Sequence, residues 1–130
     1  MSFSVMRADE HEWEERPFAE GAPPRRVSDV TSAGELTYSR ARIWRYPPGT
    51  RGRRHRERVQ EEVFVVLEGT LTMLLGDQPE RHDLPPQSVV AVPAGTVLQM
   101  RNESGEEVVV FVYGAPPVAG QAEHLDDVEL

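Results

Sequence analysis

The chain has 130 residues, a net charge of −8 and no cysteine. That length makes one domain with a real core. The acidic balance argues against general nucleic-acid binding. The missing thiols exclude a disulfide framework, a thiolate metal site and a cysteine nucleophile.

Residues 1–30 read as an N-terminal arm. They are proline-interrupted, and Asp9, Glu10, Glu12, Glu14 and Glu15 crowd one stretch. The segment Asp9–Glu15 predicts a short acidic helix. No apolar run approaches the ~20 residues that span a bilayer, and the first residues lack the apolar stretch of a secretory signal. The expectation is a cytoplasmic protein with neither a membrane nor a nucleic-acid partner.

Residues 31–115 read as the core, and 116–130 as a C-terminal tail. Strand signals begin near Leu36. Pro47-Pro48-Gly49, Gly76-Asp77, Pro85-Pro86, Pro93-Ala94-Gly95 and Asn102–Gly105 are turn chemistry. Between them lie short runs rich in valine, threonine and aromatics. Leu36–Tyr46, Arg53–Arg58, Glu62–Leu67, Thr70–Leu75, Val89–Val92, Val97–Arg101 and Glu106–Tyr113 are the predicted strands. Short strands at this spacing predict an all-β barrel or sandwich. Glu62–Leu67 and Val108–Tyr113 do not alternate, so both of their faces should be covered. The outer cover must come from a second sheet layer, an arm or another subunit, and so short a chain favours the last, a homodimer.

The strand Leu36–Tyr46 alternates Tyr38, Arg40, Arg42, Trp44 and Tyr46 on one face. This aromatic and cationic face suits either a cavity for a flat anion or a subunit interface. Further on, His55 and Glu57 are two apart on a strand and share a face. Glu62 follows a tight turn and can return to that face. One imidazole and two carboxylates form a divalent-metal half-site. Arg53 shares their face and is a candidate clamp for a carboxylate or phosphate. Arg54, Arg56 and Arg58 point the other way and are expected to form an outward basic stripe, paired with the acidic tails or with a partner subunit. Leu98 and Met100 share a face and form an apolar cavity floor. His11, His82 and His124 are expected to be surface histidines.

The segment Gly49–Gly69, with His55, Glu57 and Glu62, resembles the first motif of the cupin superfamily. Gln87–Asn102, with Pro93, Gly95 and Asn102, resembles the second. The resemblance implies a cupin-like jelly-roll barrel (a double-stranded β-helix) with a site in the barrel mouth. It also implies a metal set of three histidines and one glutamate, from which this chain departs. Glu57 stands at the second histidine of the first motif, Leu98 at the histidine of the second, and Gln87 at that motif's leading glycine. The remaining set, His55, Glu57 and Glu62, is harder and more anionic. It suits Mn²⁺, Mg²⁺ or Ca²⁺ better than Fe²⁺. Two states stay open at this point. One is a metal-free polar cluster. The other is a bound divalent metal, with manganese, zinc, iron and nickel undecided. The functional expectation is a small stand-alone cupin whose site binds a small polar or anionic molecule, with Arg53, His55, Glu57, Glu62, Leu98 and Met100 around it. The alternative is an isomerase- or lyase-type enzyme, in which His55 acts as general base and Glu62 orients it.

Overall fold

Three proline-led turns of one pattern punctuate the chain. In Pro47-Pro48-Gly49-Thr50, Pro85-Pro86-Gln87-Ser88 and Pro93-Ala94-Gly95-Thr96, the fourth residue's N–H donates to the first residue's carbonyl at 3.2, 3.2 and 3.3 Å. The third residue has φ of 81°, 76° and 90° respectively. This is the pattern of a type II turn, whose third position favours glycine. Gln87 adopts it without being one.

The computed structural model describes residues 2–117 and 121–129. Their strands are β1 (Trp13–Arg16), β2 (Arg25–Asp29), β3 (Arg40–Tyr46), β4 (His55–Glu57), β5 (Glu61–Glu68), β6 (Leu71–Leu75), β7 (Glu80–Leu84), β8 (Val89–Val92), β9 (Leu98–Arg101), β10 (Val108–Ala115) and β11 (Ala122–His124). A single helical turn, α1 (Val30–Ala33), follows β2, with the Asp29 side chain accepting from the Ser32 N–H at its start. The strands form two antiparallel sheets, ordered β1-β2-β3-β10-β5-β8 and β11-β4-β9-β6-β7. The fold is an all-β double-stranded β-helix.

The core lies between the sheets. Phe64, Val66, Val108, Val110 and Val112 from one sheet meet Leu71, Met73, Leu98 and Met100 from the other. Burying each such side chain contributes about 1.5–3 kcal/mol. Asn102 locks the barrel wall. Its amide donates to the carbonyls of Tyr46 and Glu106, and its Oδ1 accepts from Ser104. That is a structural role, away from the cavity.

The seven expected strands all appear; β3, β4, β6 and β9 are shorter than expected, β5 is one residue longer at each end, β8 matches, and β10 is shifted two residues onward. The acidic helix over Asp9–Glu15 does not form. Trp13–Arg16 is instead a strand paired with β2, because an open sheet edge supplies backbone partners that a lone helical turn of charged residues lacks. The expected arm therefore contributes two strands to the larger sheet, with Val27 and Ser28 buried. β7 is polar and exposed at a sheet edge. With both faces wet it has no apolar alternation to betray it. The runs Glu62–Leu67 and Val108–Tyr113 are covered less fully than expected. Glu62, Phe64 and Val66 point inward and are buried, but Val63 and Val65 are only half-buried. On the same outer face Leu67, Val89 and Tyr113 are 44%, 63% and 41% exposed.

Candidate functional site

The two sheets open at one end onto a cavity of about 250 Å³. Strand alternation decides which side chains enter it. β4 sends in His55 and Glu57, β5 sends in Glu62, and β9 sends in Leu98 and Met100. β3 adds Arg40, Arg42, Trp44 and Tyr46. Arg53 lies just before β4 on the same wall. Every residue singled out around the barrel mouth thus borders one cavity. Of the aromatic and cationic face, only Tyr38 stays outside, 88% exposed ahead of β3.

His55, Glu57 and Glu62 converge. The His55 Nε2 lies 3.7 Å from Glu57 Oε1 and 3.8 Å from Glu62 Oε1. One donor atom from each residue lies within 4.8 Å of the others. The His55 Nδ1 is 2.9 Å from the Arg53 carbonyl. A carbonyl only accepts, so Nδ1 carries the hydrogen. In the neutral ring Nε2 then holds the lone pair, aimed at the two carboxylates. Burial pushes the His55 pKa down. Glu62, the Arg53 carbonyl and Glu57 together outweigh burial, and the net shift is upward from 6.5.

Glu62 is 3% exposed. Its Oε2 accepts from Arg42 at 3.5 Å, while its Oε1 is buried with no hydrogen-bond partner. A buried carboxylate oxygen without a donor is costly. A divalent cation beside Nε2 would satisfy it, so the donor set fits a metal. The ligands would be His55, Glu57 and Glu62. Leu98 contributes an alkyl wall where a fourth donor would stand.

Two residues of the site escaped the sequence reading. Arg25, from β2, reaches across the mouth. Its guanidinium sits over Trp44 and Tyr46, 5.2 and 5.5 Å from the ring centres. Its Nη1 is 3.4 Å from the Tyr46 hydroxyl, and its Nε is buried without a partner. Nothing in the sequence marks this arginine among the fourteen basic residues. His124, expected to be a surface histidine, is indeed exposed but lies on β11 directly beside His55. The two rings are 6.1 Å apart, and His124 borders the cavity at its rim. Burial lowers the His124 pKa, and the charges of Arg53 and His55 lower it further. His82 and His11 lie elsewhere. The first is beside Glu80 and the second is hydrogen-bonded to Ser28.

Of the arginines expected to form an outward stripe, Arg56 pairs with the acidic C-terminal segment, meeting Glu123 at 3.0 Å. Arg54 is buried instead, donating to the Asp126 carbonyl at 3.1 Å. Arg58 forms no ion pair among the described residues, while Arg51 meets Asp127 at 3.2 Å.

Comparison with known proteins agrees with this architecture. No curated protein matches the chain at a significant level. A sugar phosphate isomerase of the cupin superfamily from Silicibacter pomeroyi is similar in structure, with a TM-score of 0.74 and 25% identity over 86% of this chain and 75% of that one. The polyketide cyclase RemF from Streptomyces resistomycificus gives a TM-score of 0.77 at 20% identity, covering 99% of this chain and 89% of its own. An uncharacterised double-stranded β-helix protein from Klebsiella pneumoniae gives 0.71 at 20% identity, covering 95% and 97%. A family model described as the cupin domain matches residues 42–114, more than half of the chain, from within β3 to within β10. The chain belongs to the cupin domain family.

Proposed function

We propose that this cupin binds a small anionic molecule, a carboxylate or phosphate, in the barrel mouth. One observation carries the reading. Arg25, Arg40 and Arg53 line the cavity, and among the described residues none of the three forms an ion pair. Unpaired guanidinium groups around an aromatic-walled cavity favour planar, bidentate anion recognition. The inner end is acidic, at Glu57 and Glu62, so the ligand is polarised. Its anion lies toward the mouth, and a hydroxyl or carbonyl points toward His55. Calorimetric titration with inorganic phosphate and with a short dicarboxylate tests this. Arg25→Ala and Arg53→Ala should each weaken the better ligand at least tenfold, which is about 1.4 kcal/mol. Wild-type protein that binds neither probe overturns the reading.

A second reading rests on the His55 tautomer. An Nε2 lone pair held in place by the Arg53 carbonyl suits a general base. It would take a proton from a carbon beside a carbonyl and return it to the neighbouring atom, which is isomerase chemistry. The name of the Silicibacter pomeroyi neighbour supports a phosphorylated sugar as substrate class. Deuterium from solvent should enter such a substrate with wild type and not with His55→Gln. With a divalent metal held by His55, Glu57 and Glu62, the Nε2 lone pair would be a ligand rather than a base, and the ion would instead supply Lewis acidity to the ligand's oxygen. Two carboxylates and one imidazole make manganese the best match among the candidate ions.

We also propose a homodimer and a cytoplasmic location. The half-covered outer face of β5, β8 and β10, with Leu67, Val89 and Tyr113 exposed, supports a second copy as its cover. No helix among the described residues is long and apolar enough to cross a membrane. Sedimentation at tens of micromolar tests the dimer, and a clean monomer counts against it.

A further inference from the structure

The donor set of the cavity is one ligand short on the β9 side, where Leu98 stands. β4 has a second neighbour. Its other edge pairs with β11, in the register Ala122↔Glu57, Glu123↔Arg56 and His124↔His55. Strand alternation then sends Ala122 and His124 to the cavity side, with Glu123 outward on Arg56. The residue beside Glu57 is small, and the one beside His55 is an imidazole.

We propose that His124 is the fourth donor of a divalent-metal site with His55, Glu57 and Glu62, supplied by the C-terminal strand in place of the second-motif histidine. The inference rests on the metal reading above. Three observations support it. The Glu62 Oε1 is buried and unpartnered beside the cavity. Three donors already converge within 4.8 Å of one another. The His124 ring is 6.1 Å from the His55 ring, tilted by 48°.

Two imidazoles bound tetrahedrally to one ion at about 2.1 Å have ring centres about 5 Å apart. A shift of about 1 Å in His124 closes that gap. The residue can make it, because it is exposed at the rim and β11 is the edge strand of its sheet. The segment is also anchored on both sides of the shift. Arg56 holds Glu123 at 3.0 Å, and the Leu125 N–H donates to the Arg54 carbonyl at 2.8 Å. A donor on this strand also couples the metal to the docking of the C-terminal segment, since the ion would tie β11 to β4 and β5.

Titration with Co²⁺ alone tests the proposal, read by calorimetry and by visible absorption. Wild type should take up one equivalent. His124→Ala should bind at least tenfold more weakly and shift the Co²⁺ band, while His82→Ala, on the far edge of the sheet, should match wild type. His124→Cys separates a ligand from a strut. The chain has no other cysteine, so a thiolate-to-cobalt charge-transfer band in the near ultraviolet can arise only at position 124. Loss of affinity in His124→Ala together with that band supports the assignment. If His124→Ala keeps wild-type affinity, or His124→Cys binds cobalt without the band, His124 is not a ligand and a three-donor site stands alone. If wild type takes up no Co²⁺, the metal reading and the fourth donor fall together, and the phosphate and dicarboxylate titrations still decide anion binding.

Discussion

His55 and Leu98 face each other across the β4–β9 pair, an imidazole opposite an isobutyl group on one cavity wall. Leu98 is 1% exposed. Its position beside the donor cluster makes it a site where a single substitution can add a ligand without moving the backbone. Leu98→His should raise Mn²⁺ affinity at least tenfold, about 1.4 kcal/mol, since manganese accepts more than four ligands. The metal-free variant should lose about 2 kcal/mol of stability, through the buried alkyl group removed and the polar ring introduced. Added metal should restore part of it by binding the folded state. Calorimetry and thermal melts with and without Mn²⁺ read both halves. Unchanged affinity would show that the β9 wall does not face the donors.

Stability of the metal-free chain should depend on pH through two histidines of opposite sign. The folded-state pKa of His55 is raised from 6.5. Its contribution is complete below 6.5 and is lost as the pH climbs through the raised value. That of His124 is lowered from 6.5. Its contribution is present above 6.5 and is lost as the pH falls through the lowered value. From these two groups the optimum lies near 6.5. His55→Gln should flatten the alkaline side and His124→Gln the acid side, measured as urea midpoints across the range. Metal affinity should fall with acidification through the raised His55 value, because only the neutral ring coordinates.

Arg42 and Glu62 form a buried pair at 3.5 Å, with side-chain exposures of 20% and 3%. Arg42→Met strands the carboxylate and should cost about 3 kcal/mol. Adding Glu62→Met should recover most of that loss, since removing both charges also removes the desolvation penalty. Denaturant unfolding of the two variants gives the comparison. Equal stability of Arg42→Met and wild type would mean that the pair contributes nothing.

Gln87 holds φ of 76° at the third position of a turn, and Gly49 and Gly95 occupy the equivalent position in the other two. A side chain in this region costs about 1–2 kcal/mol. Gln87→Gly relieves that and gives back part through the freer unfolded chain, for a net gain of about 0.5–1 kcal/mol. Gln87→Ala should give no such gain. Thermal midpoints should rank glycine above both glutamine and alanine. The reverse order would place the turn in another conformation.

Much of this molecule was legible before any coordinates. Turn chemistry at the prolines and glycines, with β-branched runs between them, specified the seven strands from β3 to β10 other than β7. Period-two alternation put His55, Glu57 and Arg53 on one face, because a strand leaves its side chains no other choice. What the sequence could not decide was which distant segments close on that face. Arg25 and His124 are 30 residues before and 69 residues after His55, each in a polar segment without periodicity. They reach the cavity only because β2 pairs with β3 and β11 pairs with β4. Edge pairing of this kind rests on backbone hydrogen bonds, which every residue type offers alike, so it leaves little mark on composition. The tertiary fold alone therefore decided that Arg25 from the N-terminal segment and His124 from the C-terminal one both border the mouth, and that the imidazole absent at Leu98 has a counterpart on the opposite side of His55.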